Sequence, residues 1–158
     1  MYDKPVVLTY LDFEEYFLEM KNDPAIGVNS VIVGDMEDVQ AFQKNAKGQI
    51  YPLLFMHVPS FDSFNSGGDK NHFSSDFLIL EQNAKNDQAA KSGIYNRTRE
   101  IVLNIQKKME EDGEKSMFEF DGKFTAEPRH NFTTDRCFGW FVSFEMATPG
   151  VGLDADYR

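Results

Sequence analysis

Towards the C-terminal end, Cys137-Phe138-Gly139-Trp140-Phe141-Val142-Ser143-Phe144-Glu145-Met146 alternates with a period of two. Phe138, Trp140, Val142, Phe144 and Met146 fall on one face, and Cys137, Gly139, Phe141, Ser143 and Glu145 on the other. Successive side chains of a strand point to opposite sides, so this stretch predicts a strand with one face buried and the other more open. Its apolar face is the heaviest source of burial in the chain. Phe138, Trp140, Val142 and Phe144 are therefore expected core residues, and the remaining elements have to cover them.

The clearest cover is a helix. Ile94, Thr98, Ile101, Val102, Ile105 and Met109 recur at helical spacing, with Arg97, Glu100, Asn104, Lys107 and Lys108 on the opposite face. Ile101 and Ile105 join the expected core, and Gly113 is the expected stop, with Lys107 and Lys108 near the negative end of the helix dipole. An earlier helix starts at Thr9-Tyr10-Leu11-Asp12 or Asp12-Phe13-Glu14-Glu15, each a capping-box pattern, and ends before Asn22-Asp23-Pro24.

Val31-Ile32-Val33 reads as a short strand, and Asp38 to Gln43 fits either helix or strand. Ile50 to Val58 is apolar on both faces and predicts a well-covered strand, with Pro52 tolerated at its start. Phe73, Ser75, Phe77 and Ile79 alternate with His72, Ser74, Asp76, Leu78 and Leu80, giving its antiparallel partner. Pro59 to Asn71 is then a long projecting loop, and Glu81 to Gly93 a polar connector. Asp121-Gly122 between Met117–Phe120 and Lys123–Ala126 predicts a tight hairpin. Pro128 breaks the pattern and Asn131 to Asp135 is expected as loop.

Together these elements predict an α+β fold with a mainly antiparallel sheet of about four to five strands and two packed helices. A length of 158 residues fits one domain. We assign it to 1–150, with an acidic, helix-bearing part at 1–49, a sheet-plus-helix core at 50–149, and a loose tail at 151–158.

Charge narrows the function. The net charge is −10, which opposes a nucleic-acid grip built on clustered Lys and Arg, and equally opposes anionic membranes. No run of about 18 apolar residues is present, so no membrane span is expected. Met1 to Tyr10 lacks a signal-peptide pattern, which predicts an intracellular protein. The single cysteine, Cys137, excludes an internal disulfide.

Candidate chemistry is sparse. His57, His72 and His130 lack zinc-ligand spacing, although His57 and His72 approach each other if their strands pair. Cys137 sits on a strand rather than at a helix N-terminus that would activate it. Ser66-Gly67-Gly68-Asp69-Lys70 lacks phosphate-loop spacing, and Asp35, Glu37 and Asp38 lack calcium-loop spacing. Glu119 and Asp121 suit acid–base work only if another carboxylate faces them. We expect no catalytic, cofactor or metal site and no enzyme activity; the alternative is a small ligand-binding protein or enzyme using the sheet face around His57, His72 and Glu145.

The residues Tyr51-Pro52-Leu53-Leu54-Phe55, the alternating strand to Ile79, Phe124-Thr125-Ala126-Glu127-Pro128, and Asp135-Arg136-Cys137-Phe138-Gly139-Trp140 give the chain a family resemblance. From Ile50 to Pro149 it resembles the small neck and tail-completion proteins of tailed bacteriophages, most closely the tail-terminator-like group. The resemblance implies a homo-oligomeric ring in the head–tail connector of the virion, assembled in the host cytoplasm. It implies portal, neck or tail proteins as partners, and a channel through which DNA passes without sequence-specific binding. The Phe-rich 59–71 loop and the acidic N-terminal third depart from the family pattern. Phe61, Asp62, Phe64, Asn65, Gly67, Gly68 and Asp69 form the candidate inter-subunit loop.

Overall fold

The computed structural model describes residues 9–64, 70–83, 88–115, 117–133 and 135–149. Helix α1 spans Tyr10–Leu18 and runs into a 3-10 turn at Glu19–Asn22. Strand β1 (Ser30–Gly34), helix α2 (Met36–Asn45), and strands β2 (Leu53–His57), β3 (Ser60–Phe64) and β4 (Lys70–Gln82) follow. Helix α3 (Gln88–Glu114) then precedes β5 (Thr125–Phe132) and β6 (Cys137–Pro149). The six strands form one open, mixed sheet in the order β1-β2-β4-β6-β5, with β3 on β4 beside the end that β2 leaves unpaired. Only β1 and β2 run parallel, because α2 carries the chain back across the sheet between them.

The alternating C-terminal strand is the centre of this architecture. β6 pairs along its whole length with β4, from Lys70 opposite Pro149 to Gln82 opposite Cys137, and takes β5 on its other side. Its apolar face carries Phe138, Val142, Phe144 and Met146, each no more than 4 % exposed. That face packs against Phe13, Phe17, Ile101, Ile105 and Met109 of α1 and α3. Trp140 is half-buried at the rim, its indole N–H donating to the Tyr95 carbonyl at 3.0 Å. Gly139 answers a packing demand: a Cβ there would lie 1.7 Å from the Ile79 carbonyl oxygen, so β4 and β6 approach this closely only around a glycine.

Of the two capping boxes offered, α1 starts at the Thr9 one, with the Asp12 N–H donating to Thr9 Oγ1 and the Thr9 N–H to Asp12 Oδ2. All six apolar-face positions of α3 are buried, and its Asp112 binds the Tyr16 hydroxyl of α1. The structure corrects the sequence expectation in several places. The described residues form three α-helices and six strands, against the two and four to five expected. α2 replaces the ambiguous stretch because Asp35 and Asp38 form a second reciprocal capping box; the acidic cluster at 35–38 is a helix start.

The 59–71 loop is mostly strand, since Phe61, Asp62 and Phe64 of β3 pair with Phe73, His72 and Lys70. Of the candidate inter-subunit loop, Asn65, Gly67, Gly68 and Asp69 lie outside the described residues, as do the 1–7 lead-in and the 151–158 tail. The connector after Glu81 is shorter than expected, with α3 beginning at Gln88 and passing Gly113 to end at Glu114. Asp121-Gly122 turns the chain, with Gly122 at φ +78° and Lys123 N–H donating to Asp121 Oδ1, but among the described residues its two flanks do not pair as a hairpin; Glu119 instead bridges to Ala147. β5 continues through Pro128 to Phe132, which an outermost strand allows because one side needs no ladder donor.

Candidate interaction surface

The two faces of the sheet are finished differently. α1 and α3 seal one face. α2 covers only one end of the other, where Val39 meets Leu53, Phe55, Leu78, Leu80 and Cys137. Beyond α2 the strands present Ser74 and Asp76 of β4 and Ser143 and Glu145 of β6. Asp121, Lys123 and Thr125 come alongside from the chain that flanks β6. These groups line an open hollow of about 500 Å³. A neighbouring hollow of about 320 Å³ brings His72, Glu119, Asp121 and Glu145 together. Asp121 thus shares a surface with Asp76, Glu119 and Glu145, an arrangement that chain order conceals because the four come from three segments.

His57 is the half-buried member of this face. Its Nδ1 contacts Asp76 Oδ1, and its ring centroid lies 4.7 Å from that of Phe55. Burial holds the His57 pKa below the ordinary histidine value. His57 and His72 are not brought together: His72 lies four residues along β4 from Asp76, roughly 13 Å. His130 is exposed on β5. Among the described residues no three His, Cys, Asp or Glu side chains are placed to hold a metal ion.

Cys137 is fully buried and belongs to a network under α2. The Gln43 amide donates to the Tyr51 hydroxyl at 3.0 Å, and that hydroxyl donates to Asp135 Oδ2 at 2.5 Å. Burial, reinforced by the bond to Asp135, raises the Tyr51 pKa, and burial likewise pushes the Cys137 thiol up. A buried thiol held protonated is not a nucleophile. Asp135 is delivered by the β5–β6 turn, in which Thr133 and Arg136 adopt φ of +64° and +55°, a region disfavoured for side chains with a Cβ. The sequence named Cys137 but not its partners.

The remaining exposed apolar groups include Val58 and Phe61, 55 % and 53 % exposed, at the start of the β3–β4 ribbon. Phe61 touches the buried Phe73 ring across the strand pair, at 5.7 Å between centroids. Among the described residues no helix is long and apolar enough to cross a membrane. No protein-family model matches the chain, and no curated protein matches it.

Proposed function

We propose that the chain is a structural subunit of a tailed-bacteriophage particle that assembles into a closed ring in the head–tail connector. The observation that carries this reading is the unequal finish of the sheet. One face is sealed by α1 and α3, while the other holds Asp76, Glu119, Asp121 and Glu145 around open hollows. Fixed negative charge on a channel wall repels phosphates, so DNA slides past instead of sticking, the inverse of the counterion release that drives binding. A ring forms when one patch of a subunit meets a different patch of the next. Exposed Val58 and Phe61 supply an apolar contact for a neighbouring subunit or an adjacent ring. The resemblance from Ile50 to Pro149 points to the same station. In this reading the protein has no catalytic residue and no cofactor; it joins portal and tail proteins and passes DNA without reading its sequence.

Quantitative mass spectrometry of gradient-purified particles tests the reading. A low copy number in fixed ratio to the portal is expected; absence from mature particles, with the protein abundant in the extract, ends it. A paired charge reversal, Asp121→Lys with Glu145→Lys, tests the wall: rings of unchanged size should retain DNA, and unaltered infectivity would remove the channel argument. The approximately 500 Å³ hollow favours, as a second reading, a small-ligand protein using the sheet face. Thermal-shift screening with divalent metals and nucleotides distinguishes it, because a specific ligand raises apparent stability by mass action.

A further inference from the structure

The helices that cover the two faces of the sheet are attached very unequally. α3 buries seven of its side chains, and α1 buries Phe13, Tyr16 and Phe17. α2 buries one, Val39, while seven of its ten residues are exposed. Phe42 and Ala46 add partial cover. Yet the floor beneath α2 is broad and apolar. Leu53 and Phe55 of β2, Leu78 and Leu80 of β4, and Cys137 of β6 form it, each no more than 1 % exposed.

The polar attachment of α2 is equally slight. The Gln43 amide reaches the Tyr51 hydroxyl at 3.0 Å and the Cys137 sulfur at 3.6 Å, but its Oε1 is buried without a hydrogen-bond partner. An orphaned buried acceptor offsets much of what the donated bonds contribute. A helix of ten residues has little stability of its own and holds its place by packing. Lys47, Gly48 and Gln49 beyond it are exposed, and Gly48 turns at φ +86° with open space beside it. The strands beneath are held without α2. β2 pairs with β1 and β4, β4 pairs with β6 along its whole length, and α1 and α3 seal the opposite face.

We infer that α2 is a hinged lid, which leaves the sheet in a local opening that the other elements survive and uncovers the Cys137 thiol with its apolar floor. Local opening is easiest where few apolar side chains are buried, and α2 is the helix of which that is true. Closed, the lid keeps solvent from the thiol and from the floor. Open, it exposes both on the face opposite α1 and α3. The lid works in a single free subunit and does not rest on ring assembly.

The chain has one cysteine and one tryptophan, which report the two events separately. Cys137 lies under the lid, and Trp140 packs on the sealed face. In the intact protein, Cys137 should react with a soluble aromatic disulfide about a hundredfold faster than Trp140-monitored global unfolding allows. That rate should be nearly independent of urea well below the unfolding midpoint. Hydrogen exchange should show the amides of residues 40–45 opening with the same equilibrium constant, ahead of those in β2 and β4. Val39→Ala weakens the closed lid and should raise the labelling rate about tenfold. Phe144→Ala empties the core on the other face; it should lower global stability yet leave low-urea labelling within about twofold of wild type. Labelling and α2 exchange that follow global unfolding over the whole urea range overturn the inference. So does a Phe144→Ala variant that accelerates low-urea labelling as much as Val39→Ala.

Discussion

Tyr16 and Asp112 tie α1 to α3, and the tie can be measured from two directions. Tyr16 is 9 % exposed and Asp112 is 6 % exposed, and the phenol donates to Asp112 Oδ2 at 2.7 Å. Lys108, one turn earlier on α3, pairs with the same carboxylate at 3.1 Å and lies over the Tyr16 ring. A carboxylate near a helix C-terminus is opposed by the dipole, so its position depends on these partners. Hydrogen bonds to charged groups contribute about 1.5–3 kcal/mol. Tyr16→Phe removes the bond while keeping the ring, and should cost about 2 kcal/mol in urea unfolding. Asp112→Ala leaves the buried hydroxyl unpaired and should cost at least as much, and the double variant should show a coupling of about 1–3 kcal/mol.

The same pair predicts an alkaline limb. Burial first, and then the bond and charge of Asp112, raise the Tyr16 pKa far above the usual phenol value of 10.0. Above pH 10 the unfolded chain releases a proton that the folded chain keeps, so the contribution is whole below that pH and falls by about 1.4 kcal/mol for each further unit. Tyr51, raised by burial and Asp135, adds a second limb of the same sign. Lysines titrate in this range too, so the informative quantity is the difference between wild type and Tyr16→Phe, which should hold constant up to about pH 10 and close above it. A variant within about 0.3 kcal/mol of wild type at pH 7, with a parallel alkaline limb, would refute the whole account of this contact.

Phe144→Ala empties a site touching the Phe13, Phe17, Phe77 and Phe124 rings and should cost about 3–5 kcal/mol, while Trp140→Ala, at the half-buried rim, should cost less in the same denaturant titration. Gly139→Ala drives a Cβ against the Ile79 carbonyl and should cost about 3 kcal/mol, with exchange protection lost from both β4 and β6. Burial lowers the His57 pKa, so its contribution is whole above about pH 6.5 and is lost as pH falls below it; His57→Gln should flatten stability between about pH 7 and 5, and an unchanged slope would show that the ring is not desolvated.

What the sequence made legible was periodicity. The faces of β4, β6 and α3 could be read residue by residue because each contains a long apolar repeat facing one layer. β3 was hidden because Ser-Phe-Asp-Ser-Phe has the composition of a loop and becomes strand only by pairing with the Lys70–Ser74 half of β4, whose side beside β2 is otherwise vacant. α2 was hidden because its apolar positions are few; only Val39 is fully buried, and the Asp35–Asp38 box that starts it reads equally as an acidic cluster. Pro128 misled because a proline ends a central strand but not an outermost one. The carboxylates of the open face were individually visible, but their meeting required the register of β4 with β6 and the turn at Asp121-Gly122.

These misses share a cause that bears on function. Local pattern reports what an element buries against its own chain, so it is strong on the sealed face and silent where an element is completed by pairing or left for something else. β1 illustrates the first case: its Val-Ile-Val run was readable as a strand, but the parallel partner that completes it, β2, returns only after α2. The acidic N-terminal third, in composition an ordinary solvated surface, likewise owes its order to tertiary packing, since two of its helices and a 3-10 turn pack on that strand.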